Sequence, residues 1–340
     1  MTTSAPDLIL HASDDAMHKN TGEPTFNESA YFNFYDPQVR LGGFVRIGNR
    51  PNEGHAEMTV CLYPQEGGAA FMFWRAEIAG NDGFKAAGLR FEMQQAFAEQ
   101  RISYDGTCCM LERPFDLLDP RRAFAENPHA PVTIELRYEA LSEAFGGEPS
   151  IPRPDAPEFF RGHFEQHGRA AGTVTIDGTQ YVLDGFGLRD RSWGPRRWQA
   201  LERYRWLTMN FGPDAGIAAA LVTEHGGREV HGGYVYRSGE PNRPLGRVEI
   251  ETRADPDHGL HEQLTAVLHP ADGPPERIEG RVLTMVPLRN RRAGVTTRIA
   301  EGLTEWRWGD RVGYGWSEYL DQARPPPNSR PPARKPRPAA

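Results

Sequence analysis

The sequence predicts an all-β protein built from two antiparallel domains in tandem. Residues 14–322 break into short, partly alternating apolar segments, among them "HAEMTVCLY", "PVTIELRYEAL", "RYRWLTMNFG" and "RVEIETRA", bounded by Gly, Pro, Asn or Asp. Many strands at such spacing indicate antiparallel barrels or sandwiches. The halves also resemble one another: "YFNFYDPQVRLGGFVRIGNRPNEG" sets an aromatic strand, a turn and a glycine-led strand early in the chain, and "YRWLTMNFGPDAGIAAALVTEHGG" repeats the order after residue 203. A chain of 340 residues suits two domains of about 150 residues each. The expected division is 14–187 and 188–322, followed by a Pro/Arg-rich tail, 323–340, whose seven prolines and lack of aromatic residues predict disorder.

Charge and composition narrow the function. Thirty-nine basic against 46 acidic residues give a net charge of −7, and the tail holds five of the basic ones, so the folded part is more acidic still. That argues against a nucleic-acid or anionic-membrane partner, which would need a basic surface. The three cysteines, Cys61, Cys108 and Cys109, lack metal-ligand spacing and read as reduced thiols of a cytoplasmic protein. The first 20 residues have neither a basic nor an apolar region of a signal peptide, and no apolar run approaches the ~18 residues of a membrane span. There is no G-x-G-x-x-G after a strand, no P-loop, no G-x-S-x-G and no cysteine cluster. The expectation is chemistry without nucleotide, flavin or bound metal.

In "RGHFEQHGRAAGTVTIDGTQYVLDG", His163, Glu165 and His167 project to one side of a strand. The spacing is not the helical H-E-x-x-H pattern, and a solvated polar face explains the trio more simply than a metal. Glu165 remains a candidate acid or base. Asp177-Gly178 then marks a hairpin turn that leads into "GFGLRDRSWGPRRW". As a strand, 188–193 directs Leu188, Asp190 and Ser192 one way and Arg189, Arg191 and Trp193 the other. Asp190 is therefore either a catalytic carboxylate beside an apolar cavity or an ion-pair clamp between the domains. Trp193, Trp198, Tyr204 and Trp206 read as core or as pocket walls, and His231 as a strand histidine or a base.

The segment "EGLTEWRWGDRVGYGWSE" fixes its own geometry. Gly309-Asp310 suits a two-residue type II′ turn, which pairs Trp308 with Arg311, Trp306 with Gly313, Leu303 with Trp316 and Glu301 with Glu318. One face then gathers Glu301, Leu303, Glu305, Tyr314, Trp316 and Glu318. Opposed carboxylates repel unless a proton, a cation or water is shared, and burial would raise a pKa. The alternative is a water-facing hairpin whose glutamates pair with Arg307.

Together, "GTVTIDGTQYVLDGFGLRDRSWGPRRW", the upstream "YFNFYDP" and "GGFVRIG", and the downstream "EGLTEWRWGDRVGYGWSEY" resemble the tandem lipocalin-like proteins that include carotenoid hydratases (hydroxyneurosporene synthases) and relatives of tocopherol cyclase. The similarity spans roughly residues 20–320 and is closest in look to bacterial members of that group. It implies two lipocalin-like antiparallel β-barrel domains and cofactor-free acid–base chemistry on an isoprenoid-like or other apolar small molecule. Asp190 matches the family's acidic residue, and Trp193 carries over with it. The candidate catalytic residues are thus Asp190, Glu165, Glu301 and Glu318. Trp193, Tyr204, Trp206, His231, Tyr314 and Trp316 are the candidates for substrate binding. Hydration or dehydration, intramolecular cyclisation or isomerisation, and hydrophobic-ligand carriage stand as the three functions.

Overall fold

The computed structural model describes residues 8–323; residues 324–340 of the expected tail lie outside them. Eight strands, β1 (Phe26–Asp36), β2 (Leu41–Arg50), β3 (His55–Tyr63), β4 (Ala69–Glu77), β5 (Glu99–Leu111), β6 (His129–Ala140), β7 (Gly162–Ile176) and β8 (Thr179–Pro195), pair antiparallel in sequence order. Pairing of β8 with β1 closes the ring. Eight more strands form a second closed barrel: β9 (Leu201–Asn210), β10 (Ala215–Glu224), β11 (Glu229–Arg237), β12 (Arg243–Ala254), β13 (His261–Pro270), β14 (Glu276–Arg292), β15 (Val295–Trp308) and β16 (Arg311–Gln322). The tandem all-β expectation holds. The change of barrel falls between Pro195 and Leu201, however, because all of β8, not only its part up to residue 187, belongs to the first ring. Among the described residues no helix is long and apolar enough to cross a membrane.

Period-two alternation sorts each wall into an inner and an outer face. Ala30, Phe32 and Phe34 enter the first barrel's core with Val45, Ile47 and Leu62, whereas Tyr31 and Tyr35 join an outer cluster. Leu207 and Met209 fill the second barrel, while Trp206 turns outward. The outer cluster spans both barrels: Tyr31, Phe44 and Tyr63 of the first pack with Val286, Leu303 and Trp316 of the second. Polar bonds cross the same interface, from Asn33 Nδ2 to Thr208 Oγ1 at 3.2 Å and from Tyr63 Oη to the Glu301 carbonyl at 2.9 Å.

The last hairpin has the expected register, with Trp306 opposite Gly313 and Glu301 opposite Glu318. Gly309 adopts φ 57°, the left-handed value that the first position of this turn demands and that glycine supplies without strain. The hairpin face is not water-facing at its paired glutamates. Glu301 and Glu318 are buried against the first barrel, and it is Glu305, farther along, that meets Arg307 at 3.4 Å.

Candidate active site

Backbone register builds one half of the site. Asp190 on β8 lies opposite Glu165 on β7 and Tyr31 on β1, and Tyr31 lies opposite Arg46 on β2. Glu165, Asp190, Tyr31 and Arg46 therefore form one cross-strand row on the outer face of the first barrel. The second barrel supplies a matching row: Trp206 on β9 opposes Glu318 on β16, which opposes Glu301 on β15. The rows meet across the interface, where the Trp206 indole donates to the Glu165 carboxylate and the Trp206 ring stands edge-on to Tyr31 at 5.3 Å.

Asp190 is paired with His163 Nε2, and Glu165 lies 3.7 Å from the same nitrogen. Burial opposes charge on His163, but the Asp190 carboxylate outweighs it and leaves the imidazole pKa raised. Glu165 is raised by burial and by the Asp190 charge, with His163 opposing. The glutamates of the second row are more strongly perturbed. Burial pushes Glu301 up to about 8 against the nearby Arg46, and pushes Glu318 up to about 8 with help from Asp190 and against Arg46 and Arg196. Both hold a proton at neutral pH. Glu301 Oε2, Tyr31 Oη and Trp316 Nε1 are buried without a protein hydrogen-bond partner.

Alternation keeps Asp190 away from its sequence neighbours. Arg189 and Arg191 turn to the opposite face, where the N-terminal turn Ala12–Asp15 straps across the barrel. Arg189 grips both oxygens of Asp15 at 2.7 and 3.0 Å, and Arg191 bonds Glu28 at 2.6 Å. These arginines do clamp, but their partners are Asp15 and Glu28. Ser192, on the Asp190 face, bonds Ser29 and Arg196 at 2.9 and 2.7 Å.

The structure brings together Asp190, Glu165, Glu301, Glu318, Trp206 and Trp316. Tyr314 sits farther along the interface, tilted on Tyr35 at 4.7 Å. Two candidates lie elsewhere. Trp193 shares the Arg189 face, stacked on His18 at 4.1 Å and bonded to Glu148 at 2.6 Å. His231 Nδ1 is satisfied by the backbone of Val248 at 3.1 Å. Tyr204 lies on the Trp206 face, packed with Leu201, Ile299 and Leu320 and edge-on to Phe159 at 5.9 Å. Nor is the His163, Glu165, His167 strand face solvated. Glu165 and His167 are buried, and His167 bonds Asn210 Oδ1 at 2.8 Å and is pushed down to about 4 by burial. Donor atoms of His163, Glu165 and Asp190 do lie within 4.8 Å of one another, which a divalent cation could bridge. Here His163 bonds Asp190 and Trp206 bonds Glu165, so protein donors already engage both carboxylates. Two surface recesses of about 290 and 350 Å³ open elsewhere, beside Arg203 and Thr252 and beside Glu77 and Tyr104, and neither is lined by Asp190.

Sequence reasoning missed Tyr31, Arg46 and Arg196, and the two phenylalanines that join Trp198 in an aromatic cap. Phe160 stacks on His163 at 5.1 Å, while Phe159 and Trp198 lie against the Arg196 guanidinium at 4.2 and 5.2 Å. Tyr31 and Arg46 were legible only as strand residues, because their place beside Asp190 depends on pairing between β1, β2 and the distant β8.

Two consecutive eight-strand antiparallel barrels with a buried carboxyl cluster between them define the class. Residues 11–323 match the family described as Domain of unknown function (DUF7064), and the chain belongs to it. No curated protein matches the sequence. Solved structures share the architecture at low identity. A Nitrosomonas europaea protein described as an AttH candidate aligns with TM-score 0.64 and 13% identity, over 94% of this chain and 98% of its own. Kievitone hydratase from Nectria haematococca aligns with TM-score 0.58 and 11% identity, over 94% and 95%. CghA in complex with Sch210972 aligns with TM-score 0.54 and 14% identity, over 87% and 88%.

Proposed function

We propose that the chain is an acid–base enzyme acting on an apolar, isoprenoid-like or polycyclic small molecule between its barrels, most simply adding water to a C=C bond or removing it from an alcohol. One observation carries this reading: two buried carboxyl groups that keep their protons at neutral pH, Glu301 and Glu318, adjoin a carboxylate–imidazole pair, Asp190 and His163. A neutral acid and a base in one buried site are what alkene hydration needs. Glu318 gives its proton to the alkene carbon. Positive charge then develops between the rings of Tyr31, Trp206 and Trp316, each worth ~0.5 to 2 kcal/mol to a cation over its face. Water adds to the cation as the Asp190–His163 pair takes the released proton; the pair then passes that proton to solvent, and solvent returns one to Glu318. Dehydration runs these steps in reverse. Kievitone hydratase, a hydratase by name, has this architecture and is consistent with the reading.

A second reading, cyclisation, uses the same acid with an internal nucleophile in place of water. The aromatic cap of Phe159, Phe160 and Trp198 over the site favours it, since exclusion of water protects a cation from capture. The experiment begins with the molecule that co-purifies from the native host, identified by mass spectrometry and incubated with enzyme in ¹⁸O water. One labelled oxygen gained marks hydration, whereas a product of unchanged mass marks cyclisation. A ligand that binds but is never converted would make the protein a carrier and end both readings.

A further inference from the structure

We infer that the interface site receives an anionic group of its ligand, a carboxylate on an apolar body, at the guanidinium groups of Arg196 and Arg46; this rests on the interface being the ligand site. Arg196 leaves the end of β8 and is only 7% exposed. Among the described residues no carboxylate forms an ion pair with it. Its Nη2 donates to Ser192 Oγ at 2.7 Å, and its Nε has no partner. Arg46 lies over the other side of the same contact, 5.5 Å from the Trp198 ring, and its Nη2 is also unpartnered. The one acid that ion-pairs with Arg46 among the described residues, Glu57 at 3.8 Å, is shared with Arg50 at 3.6 Å and Arg75 at 3.1 Å.

The acids of the site do not make up the deficit. Asp190 is engaged by His163, and Glu301 and Glu318 are protonated at neutral pH. An unpaired charge kept from water is costly unless something pairs with it, and a carboxylate that takes two N–H bonds from a guanidinium fork is a matching partner. Burial and the like charge of Arg46 pull Arg196 down to about 9, the direction expected of a guanidinium short of negative charge. Ser192, which anchors Arg196, stands two residues from Asp190 on one strand face, so the anionic group would sit about 7 Å from the acid–base pair. The ligand is thus an apolar acid, and not a pure hydrocarbon.

The test compares dodecanoate with 1-dodecanol at pH 7 on the full chain, by tryptophan fluorescence and calorimetry. Dodecanoate should bind about 10- to 100-fold more tightly, the worth of one charged hydrogen-bonded contact. Arg196→Gln should remove the preference, and Arg196→Lys, which keeps the charge without the fork, should retain part of it. Removing an unpaired buried cation should not unfold the protein, and a melting curve of each variant checks this. Equal affinity for acid and alcohol would overturn the anion site and leave the interface as the ligand site. A preference that survives in Arg196→Gln would overturn the assignment to this arginine. No binding of either probe would overturn both the anion site and the reading of the interface as a ligand site.

Discussion

Glu301 and Glu318 face each other across β15 and β16, both buried, both pushed up to about 8. Burial is the chief cause of the rise at each, and the Asp190 charge adds to it at Glu318. The charge of Arg46 acts on both and that of Asp190 on Glu318, which ties protonation of the second barrel's last hairpin to the outer face of the first.

Stability should fall as pH rises from about 6.5 to about 8; below that range buried His167 and His261, pushed down to about 4 and about 3, bind fewer protons folded than unfolded and offset the two glutamates. The unfolded chain releases the two glutamate protons near 4.5, whereas the folded chain holds them to about 8, so the folded state binds more protons throughout that window. Each group costs at most ~1.4 kcal/mol per pH unit there. The glutamates' stabilising contribution is whole below 4.5 and gone above 8. Melting curves from about pH 6.5 to 9 check this, and Glu301→Gln should flatten the decline. A wild-type melting temperature that does not fall across the window would show that both glutamates are ionised in the folded state. Turnover should also drop above pH 8 as the acid loses its proton.

Asp190→Asn should lower turnover about 100- to 10,000-fold, the usual range for a general acid or base, while the fold survives. The buried arginines beside it do not depend on it, because Asp15 and Glu28 hold them. The change should also lower the pKa of His163, since the carboxylate that outweighs its burial is gone. Ring-proton NMR titration measures that shift. A variant that melts early but turns over normally per folded molecule would return Asp190 to a clamping role.

Asp15→Ala should behave in the opposite way. It leaves Arg189 buried without its bidentate partner, a change expected to cost about 3 to 5 kcal/mol. Activity per folded molecule should be retained, because Arg189 and Asp190 lie on opposite faces of β8. Denaturant melts and rate measurements on one preparation separate the two quantities.

Alternation and turn chemistry made the local geometry legible. The Gly309-Asp310 turn set every pair of the last hairpin, and the split of Asp190 from Arg189 and Arg191 followed from period two alone. The composition of the site was less accessible. Tyr31 and Arg46 reach Asp190 through pairing of strands more than 150 residues apart in sequence, for which one sequence holds no local signal. Trp193 was drawn into the site by its place in a familiar motif, against the alternation that put it on the far face. His163 was judged without Asp190, its actual partner, because the pairing of β7 with β8 places them only after the whole hairpin from Gly162 to Pro195 has formed.

Trp193→Phe and Trp206→Phe should therefore part company. Trp193 stacks on His18 and bonds Glu148 on the face away from Asp190, so its replacement should lower stability by about 1 to 3 kcal/mol, the cost of leaving a buried partner unsatisfied. Its rate per folded molecule should stay near normal. Trp206 donates to Glu165 and presents its edge to Tyr31 inside the interface. Phenylalanine keeps an aromatic face there but removes the indole donor, which holds the Glu165 pKa down, so that carboxyl should rise further. The result should be a turnover loss of roughly tenfold or more, with a pH–rate profile displaced toward higher pH, since each lost hydrogen bond to a charged group is worth ~1.5 to 3 kcal/mol. If Trp193→Phe proved the more damaging to rate, the reacting groups would have to lie on the strap side of β8, and the interface site would be wrong.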